Sequence, residues 1–99
     1  MSRTDEVIDD VAHQFGISRR AILGKCRRRR YAYPRAVVCY ILHVHYGVSS
    51  KKVGKALNRN HATVLYHCKA VKDWLRMPVL NSDVVDAVHE VERRFGLTS

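Results

Sequence analysis

The sequence predicts an all-α protein, a compact five- to six-helix domain, and three observations carry that reading. Apolar residues recur at three- and four-residue intervals, the period of helices buried along one face. Those stretches are bracketed by capping residues and by Gly or Pro. No alternating apolar–polar run is closed by a turn pair, so no hairpin signal is present. The 99 residues fit one domain, 1–99. A chain of that size buries about two-thirds of its unfolded surface, enough for a single core.

Thr4 with Asp5 and Glu6 reads as an N-cap followed by acids in the first turn. Val7, Ile8, Val11, Ala12 and Phe15 follow at helical spacing, and Gly16 supplies the stop. Ser18 caps a short second helix, Arg19–Leu23, ended by Gly24. Next come Lys25, Cys26 and the run Arg27, Arg28, Arg29, Arg30, then Tyr31, Ala32 and Tyr33. Four consecutive arginines cannot form a buried face, and Pro34 biases Tyr33 away from the helical region. Residues 24–33 therefore read as an exposed basic loop.

Pro34 suits the first position of a helix running to about Tyr46, with Gly47 beyond it. Val37, Val38, Ile41, Leu42 and Val44 make it apolar nearly all round. Their β-branching would also fit a buried strand, but the length and the Pro/Gly bracketing favour a central helix. Ser49 or Ser50 caps a further helix carrying Val53, Ala56 and Leu57. Asn58, Arg59 and Asn60 form a polar turn. The helix His61–Arg76 follows, with Val64, Cys68, Val71 and Leu75 in one stripe. Met77-Pro78 breaks it, and a last helix over 82–95 turns Val84, Val88, Val91 and Phe95 inward.

Lys and Arg number 18 against 9 Asp and Glu, for a net charge of +9. Residues 17–76 hold 15 of the basic side chains and one acid, Asp73, for a net +14; the flanks net −5. Such a middle block repels itself unless a polyanion lies against it, and neutralising phosphates releases condensed counterions. Ala36–Ser50, the longest apolar run free of formal charge, contains two His and is too short to span a bilayer. No basic amphipathic helix offers a broad apolar face to a membrane surface. The N-terminus lacks the apolar stretch of a signal peptide. Three Cys without paired spacing point to a reducing compartment, hence a cytoplasmic, nucleoid-associated protein.

The helices within 50–76, separated by an Asn-rich turn, have helix-turn-helix spacing, in which the second helix lies in a DNA major groove. Arg59 can pair with guanine and Asn60 with adenine; His61 donates or accepts, and the Ala62 and Thr63 methyls can meet thymine methyls. The arginines of the basic loop, Lys25 to Arg30, fit a narrow minor groove, where negative potential is enhanced. A localisation signal or a plain phosphate clamp would use the same run. Candidate phosphate ligands are Arg35, Ser50, Lys51, Lys52, Lys55 and Lys69.

Lys25–Arg35 followed by Arg59-Asn-His-Ala-Thr-Val-Leu-Tyr-His-Cys-Lys-Ala-Val71 resembles the C-terminal DNA-binding domain of the bacterial replication initiator DnaA. That family pairs a basic loop and a Pro-Arg opening a long helix with a recognition helix beginning Arg-Asp-His-(Ser/Thr/Ala)-Thr-Val. The resemblance covers roughly residues 5–95. It implies that Arg27, helped by Lys25 and Arg29, enters the minor groove and that Arg35 anchors backbone or a nearby base. It further implies that His61 and Thr63 touch bases or phosphates and that Lys51 or Lys52 holds phosphate. Three departures stand out. Asn60 replaces an acceptor-only Asp, Ala62 replaces a common Thr, and the turn before Arg59 is one residue shorter than in many members.

A full initiator carries an ATPase domain, and no GxxxxGK[ST] phosphate loop occurs in this chain. Beginning at Met1, it reads as a stand-alone product, of phage or other mobile-element type, that occupies a site without melting an origin. The expectation is sequence-specific binding of double-stranded DNA by a monomer acting as an accessory replication or transcription regulator alongside host proteins. Competing readings are a protein-interaction or virion-associated module that binds DNA non-specifically, and an RNA-binding domain, since Arg-rich loops also grip structured RNA by shape.

No cofactor and no catalysis are expected. His43 and His45 at i and i+2 point about 200° apart on a helix, unsuited to a shared metal. Cys39 and Cys68 read as small core residues and Cys26 as a loop thiol. Asp73 lies three turns from His61, so no triad forms. Trp74 reads as semi-buried; Tyr31 and Tyr33 either pack on sugar-phosphate or cover an apolar edge.

Overall fold

A computed structural model describes residues 2–97. Six α-helices make up the described residues: α1 (Arg3–Phe15), α2 (Arg19–Leu23), α3 (Arg29–Tyr40), α4 (Ser50–Leu57), α5 (His61–Arg76) and α6 (Ser82–Arg94). A π-helical turn, Ile41–His45, extends α3. No strand occurs among the described residues. α3 is central and packs against α1, α2 and α5, while α6 lies on α1. The predicted stripes meet in one core: Val7, Ile8 and Val11 of α1, Val37, Val38, Ile41 and Leu42 of the central helix, Val64 and Val71 of α5, Val88 and Val91 of α6.

Capping explains most boundaries. Ser18 Oγ accepts from the Ala21 N–H at 3.1 Å and Ser49 Oγ from the Lys52 N–H at 3.2 Å, the expected starts of α2 and α4. At α1 the cap is Ser2 rather than Thr4. The Ser2 hydroxyl accepts from the Asp5 N–H at 3.2 Å, so Thr4 already lies inside the helix. Gly16 ends α1 with φ +65°, a left-handed conformation that glycine adopts without strain.

The largest revision concerns α3. It begins at Arg29, not Pro34, so the loop shrinks to residues 24–28 and Pro34 stands inside the helix. Pro34 lacks the N–H that would bond the Arg30 carbonyl, a local cost that tertiary contacts outweigh. The Tyr33 ring packs on Trp74 of α5 with centroids 4.3 Å apart, and the Arg29 guanidinium lies 5.3 Å from the Tyr33 ring centre. At the other end of the same helix the Tyr46 N–H reaches back to the Ile41 carbonyl at 3.2 Å, the five-residue step of a π turn.

The acidic flanks act as struts. Asp5 and Asp9 of α1 both pair with Arg19, docking α2 on α1. Asp10 pairs with Arg94 of α6 at 2.6 Å, and Glu92 with His45 of the π turn at 2.6 Å. Cys39 and Cys68 are buried, and burial pushes the Cys68 thiol up to about 11. No helix among the described residues is long and apolar enough to cross a membrane, and they contain no cluster of His, Cys, Asp or Glu placed to hold a metal ion.

Candidate nucleic-acid interface

α4 and α5 meet at a turn that depends on Gly54. The Asn58 N–H bonds the Lys55 carbonyl at 3.4 Å and the Arg59 N–H bonds the Gly54 carbonyl at 2.7 Å, the paired bonds of a Schellman ending. Asn58 takes φ +56°, the left-handed position that Asn tolerates better than most residues. The backbone of Arg59 then passes so close to Gly54 that a Cβ there would overlap the Arg59 carbonyl oxygen and sit 3.4 Å from the carbonyl carbons of Arg59 and Asn60. Only glycine fits.

Asn60 caps α5: its Oδ1 accepts from the Thr63 N–H at 2.9 Å. That bond occupies the amide oxygen and leaves the Nδ2 donor outward, so Asn60 is less suited to the two-atom pairing with adenine expected from sequence. His61 and Ala62 are exposed in the first turn, with Thr63 half-buried beside them. Ala62, Tyr66 and Lys69 fall on one helix face by their spacing, and Tyr66 is 70 % exposed. Tyr66 and the half-exposed Leu65 were not among the sequence candidates for this surface, although Tyr66 stands one turn after Ala62. Lys51, Lys52, Lys55 and Lys69 are exposed, and Ser50 is partly so.

Two arginines behave differently from expectation. Arg35 is 3 % exposed and donates to main-chain carbonyls. Its Nε bonds the Ile22 oxygen at 2.7 Å, Nη1 the Cys26 oxygen at 3.1 Å, and Nη2 the Gly24 and Ala21 oxygens at 2.9 and 3.3 Å. Burial, and then the charge of Arg59, push its guanidinium below the ordinary arginine value. Arg35 therefore buttresses the basic loop from inside, with four of its five N–H donors committed to main-chain carbonyls. Arg59 is half-buried; it donates to the Leu57 and Asn58 oxygens at 3.3 and 3.0 Å and to the Gly24 oxygen. These bonds engage Nη1 and Nη2, so the guanine pairing expected of Arg59 falls to the donors they leave over, Nε among them. One carbonyl, that of Gly24, thus receives both Arg35 and Arg59.

The basic run divides in two. Lys25 and Arg27 line a cleft of about 500 Å³ whose opposite wall is Thr63, Tyr66 and His67 of α5. Arg29 and Arg30 line a different cleft, beside Leu80 and Asn81 at the start of α6. Arg28 is exposed at the helix N-cap and lines neither. The structure therefore brings the N-terminal half of α5 together with Lys25 and Arg27, and not with the whole run.

A family model described as the bacterial dnaA protein helix-turn-helix matches residues 4–71. The chain belongs to the DnaA helix-turn-helix family. Among curated relatives, the chromosomal replication initiator protein DnaA of Bacteroides fragilis is 39 % identical over 69 % of this chain and 14 % of its own length. DnaA of Acholeplasma laidlawii is 31 % identical over 85 % of this chain and 19 % of its own. DnaA 1 of Chlamydia trachomatis is 27 % identical over 91 % and 20 %. The chain spans one-fifth or less of the length of these relatives. Within the DnaA match lie the basic loop, the Gly54 turn and the first turns of α5.

Proposed function

We propose that this chain binds double-stranded DNA sequence-specifically, with the N-terminal turns of α5 in the major groove and the loop around Arg27 in the adjacent minor groove. The observation that supports this most is the common cleft: exposed loop cations face Thr63, Tyr66 and His67 of α5 across it, and no carboxylate lines it. DNA needs both kinds of contact, cations for phosphates and an accessible helix end for base edges. Arg27 is the minor-groove side chain, with Lys25 and Arg28 flanking it. Asn60, His61, Ala62 and Thr63 face bases, and Lys51, Lys52, Lys55 and Lys69 hold phosphate. Arg35 and Arg59 set the positions of these elements and leave the contacts to others. The protein acts as a monomer without catalysis, an accessory regulator of replication or transcription in the bacterial cytoplasm.

Anisotropy titrations with a duplex carrying a binding site of the DnaA initiator, a scrambled duplex and a folded RNA, at two salt concentrations, test this. With roughly six to eight phosphate contacts, log affinity should fall with log salt at a slope of about −5 to −7. Equal affinity for all three probes would sink the reading and leave the RNA-binding or non-specific alternatives.

Specificity has its own test. Asn60→Asp keeps the cap and changes the outward atom from donor to acceptor. It should switch base preference by about 1–3 kcal/mol at one position, with little change in total affinity. Arg27→Ala should weaken binding chiefly where the flanking sequence is A·T-rich. Uniform weakening of every duplex by both substitutions would show that only electrostatic attraction operates.

A further inference from the structure

The cleft between the basic loop and α5 contains an unbalanced charge. Arg35 is buried and Arg59 half-buried, and every hydrogen bond either guanidinium makes goes to a carbonyl oxygen. Carbonyls supply hydrogen bonds but no counter-charge, and buried cations are ordinarily paired with anions. Lys25 and Arg27 add two further positive charges from the loop. The fifth nitrogen base lining the cleft is His67, half-buried on α5.

The groups facing His67 from each element are Lys25 and Arg27 of the loop, Arg35 of α3, Arg59 of the turn and Tyr66 beside it on α5. Burial, then the Arg35 and Arg59 charges, hold the imidazole below its ordinary value. It is a base in a cleft lined by four cationic side chains.

We propose that this cleft seats one phosphate of the DNA backbone, the segment crossing from minor to major groove, and that His67 takes up a proton as the phosphate enters. The proposal rests on the DNA-binding reading above and specifies its central contact. An anion opposes the two arginine charges that disfavour protonation, and imidazolium then makes a charge-assisted hydrogen bond to the phosphate oxygen. The sign follows: a group whose affinity for protons rises on binding makes binding tighter as pH falls. A one-unit rise corresponds to about tenfold in affinity.

The test is a scan in which single linkages of a duplex, itself selected by the protein from a random pool, are replaced by neutral methylphosphonate, with affinities measured at pH 5.5 and pH 8. The expected result is that native duplex binds about tenfold tighter at the lower pH. One linkage, when neutralised, should abolish that difference. His67→Gln should abolish it too, whereas His89→Gln, at an exposed histidine of α6, should retain it. Inorganic phosphate titrated into the DNA-free protein, followed by the His67 imidazole NMR signals, separates a seat for any phosphate from one that needs the backbone. A shift there without DNA supports the seat directly. The proposal is overturned if no single linkage carries the pH dependence, or if His67→Gln preserves it. Should no duplex bind at all, the DNA reading fails, and the phosphate titration alone decides for or against the seat.

Discussion

Gly54→Ala is expected to destabilise the domain by about 3 kcal/mol, the upper range of overpacking effects. For a domain of this size that lowers Tm by roughly 12–24 °C. The sign is the informative part. In an ordinary helix interior, glycine to alanine is favourable by about 1 kcal/mol. Here the new methyl meets the Arg59 carbonyl oxygen, which is backbone and cannot rotate away. The turn has little room to give, because the Arg59 N–H is itself bonded to the Gly54 carbonyl at 2.7 Å. Relief would have to come from tilting α5 against α4, which moves His61 and Thr63 relative to the loop. Urea or thermal melts read the stability, and duplex titration of the folded fraction reads the tilt. An unchanged or raised Tm would contradict the close approach.

The second large effect is expected at Arg35. Arg35→Met removes the donors that serve four carbonyls at the end of α2 and in the loop. Hydrogen bonds to charged donors contribute about 1.5–3 kcal/mol each. The released desolvation cost of the guanidinium offsets part of that sum. A net loss of about 3 kcal/mol is expected, again roughly 12–24 °C in Tm. Arg35→Lys should recover little, since an ammonium keeps the charge but cannot fork to separate carbonyls. The outcome discriminates between two roles. A phosphate ligand at this position would leave Tm unchanged and reduce the salt slope by about one.

The helices were legible because their boundaries are local chemistry: Ser18, Ser49, Gly16 and the apolar stripes each act within a turn or two. The start of α3 was not, because Pro34 is a local signal and the Tyr33–Trp74 packing that overrides it joins residues 41 positions apart. The charge pattern located the surface of interest, yet charge alone does not separate Arg27, which is exposed, from Arg35, which is buried. That distinction depends on which carbonyls the fold leaves unpaired, and the end of a five-residue helix such as α2 leaves several. Asn60 was readable in principle, since an Asn before a helix is a preferred cap, but its amide also suits a base edge and the sequence supports both. His67 carried no sequence signal as an anion ligand. Its meaning comes from Lys25, Arg27 and Arg59 across the cleft.

On the groove-spanning reading proposed above, the shared Gly24 carbonyl has a consequence for how this protein and a DNA site can diverge. Because Arg35 and Arg59 hang from one oxygen, the loop and the start of α5 are fixed to each other like the jaws of a caliper. Exposed side chains at His61 or Ala62 can be exchanged without disturbing that setting, so the letters of a site are free to drift. Its length is not. Shifting the minor-groove half of a site by one base pair moves it about 3.4 Å along the axis and turns it by roughly a tenth of a revolution. A jaw held by two guanidiniums on one carbonyl cannot follow that movement.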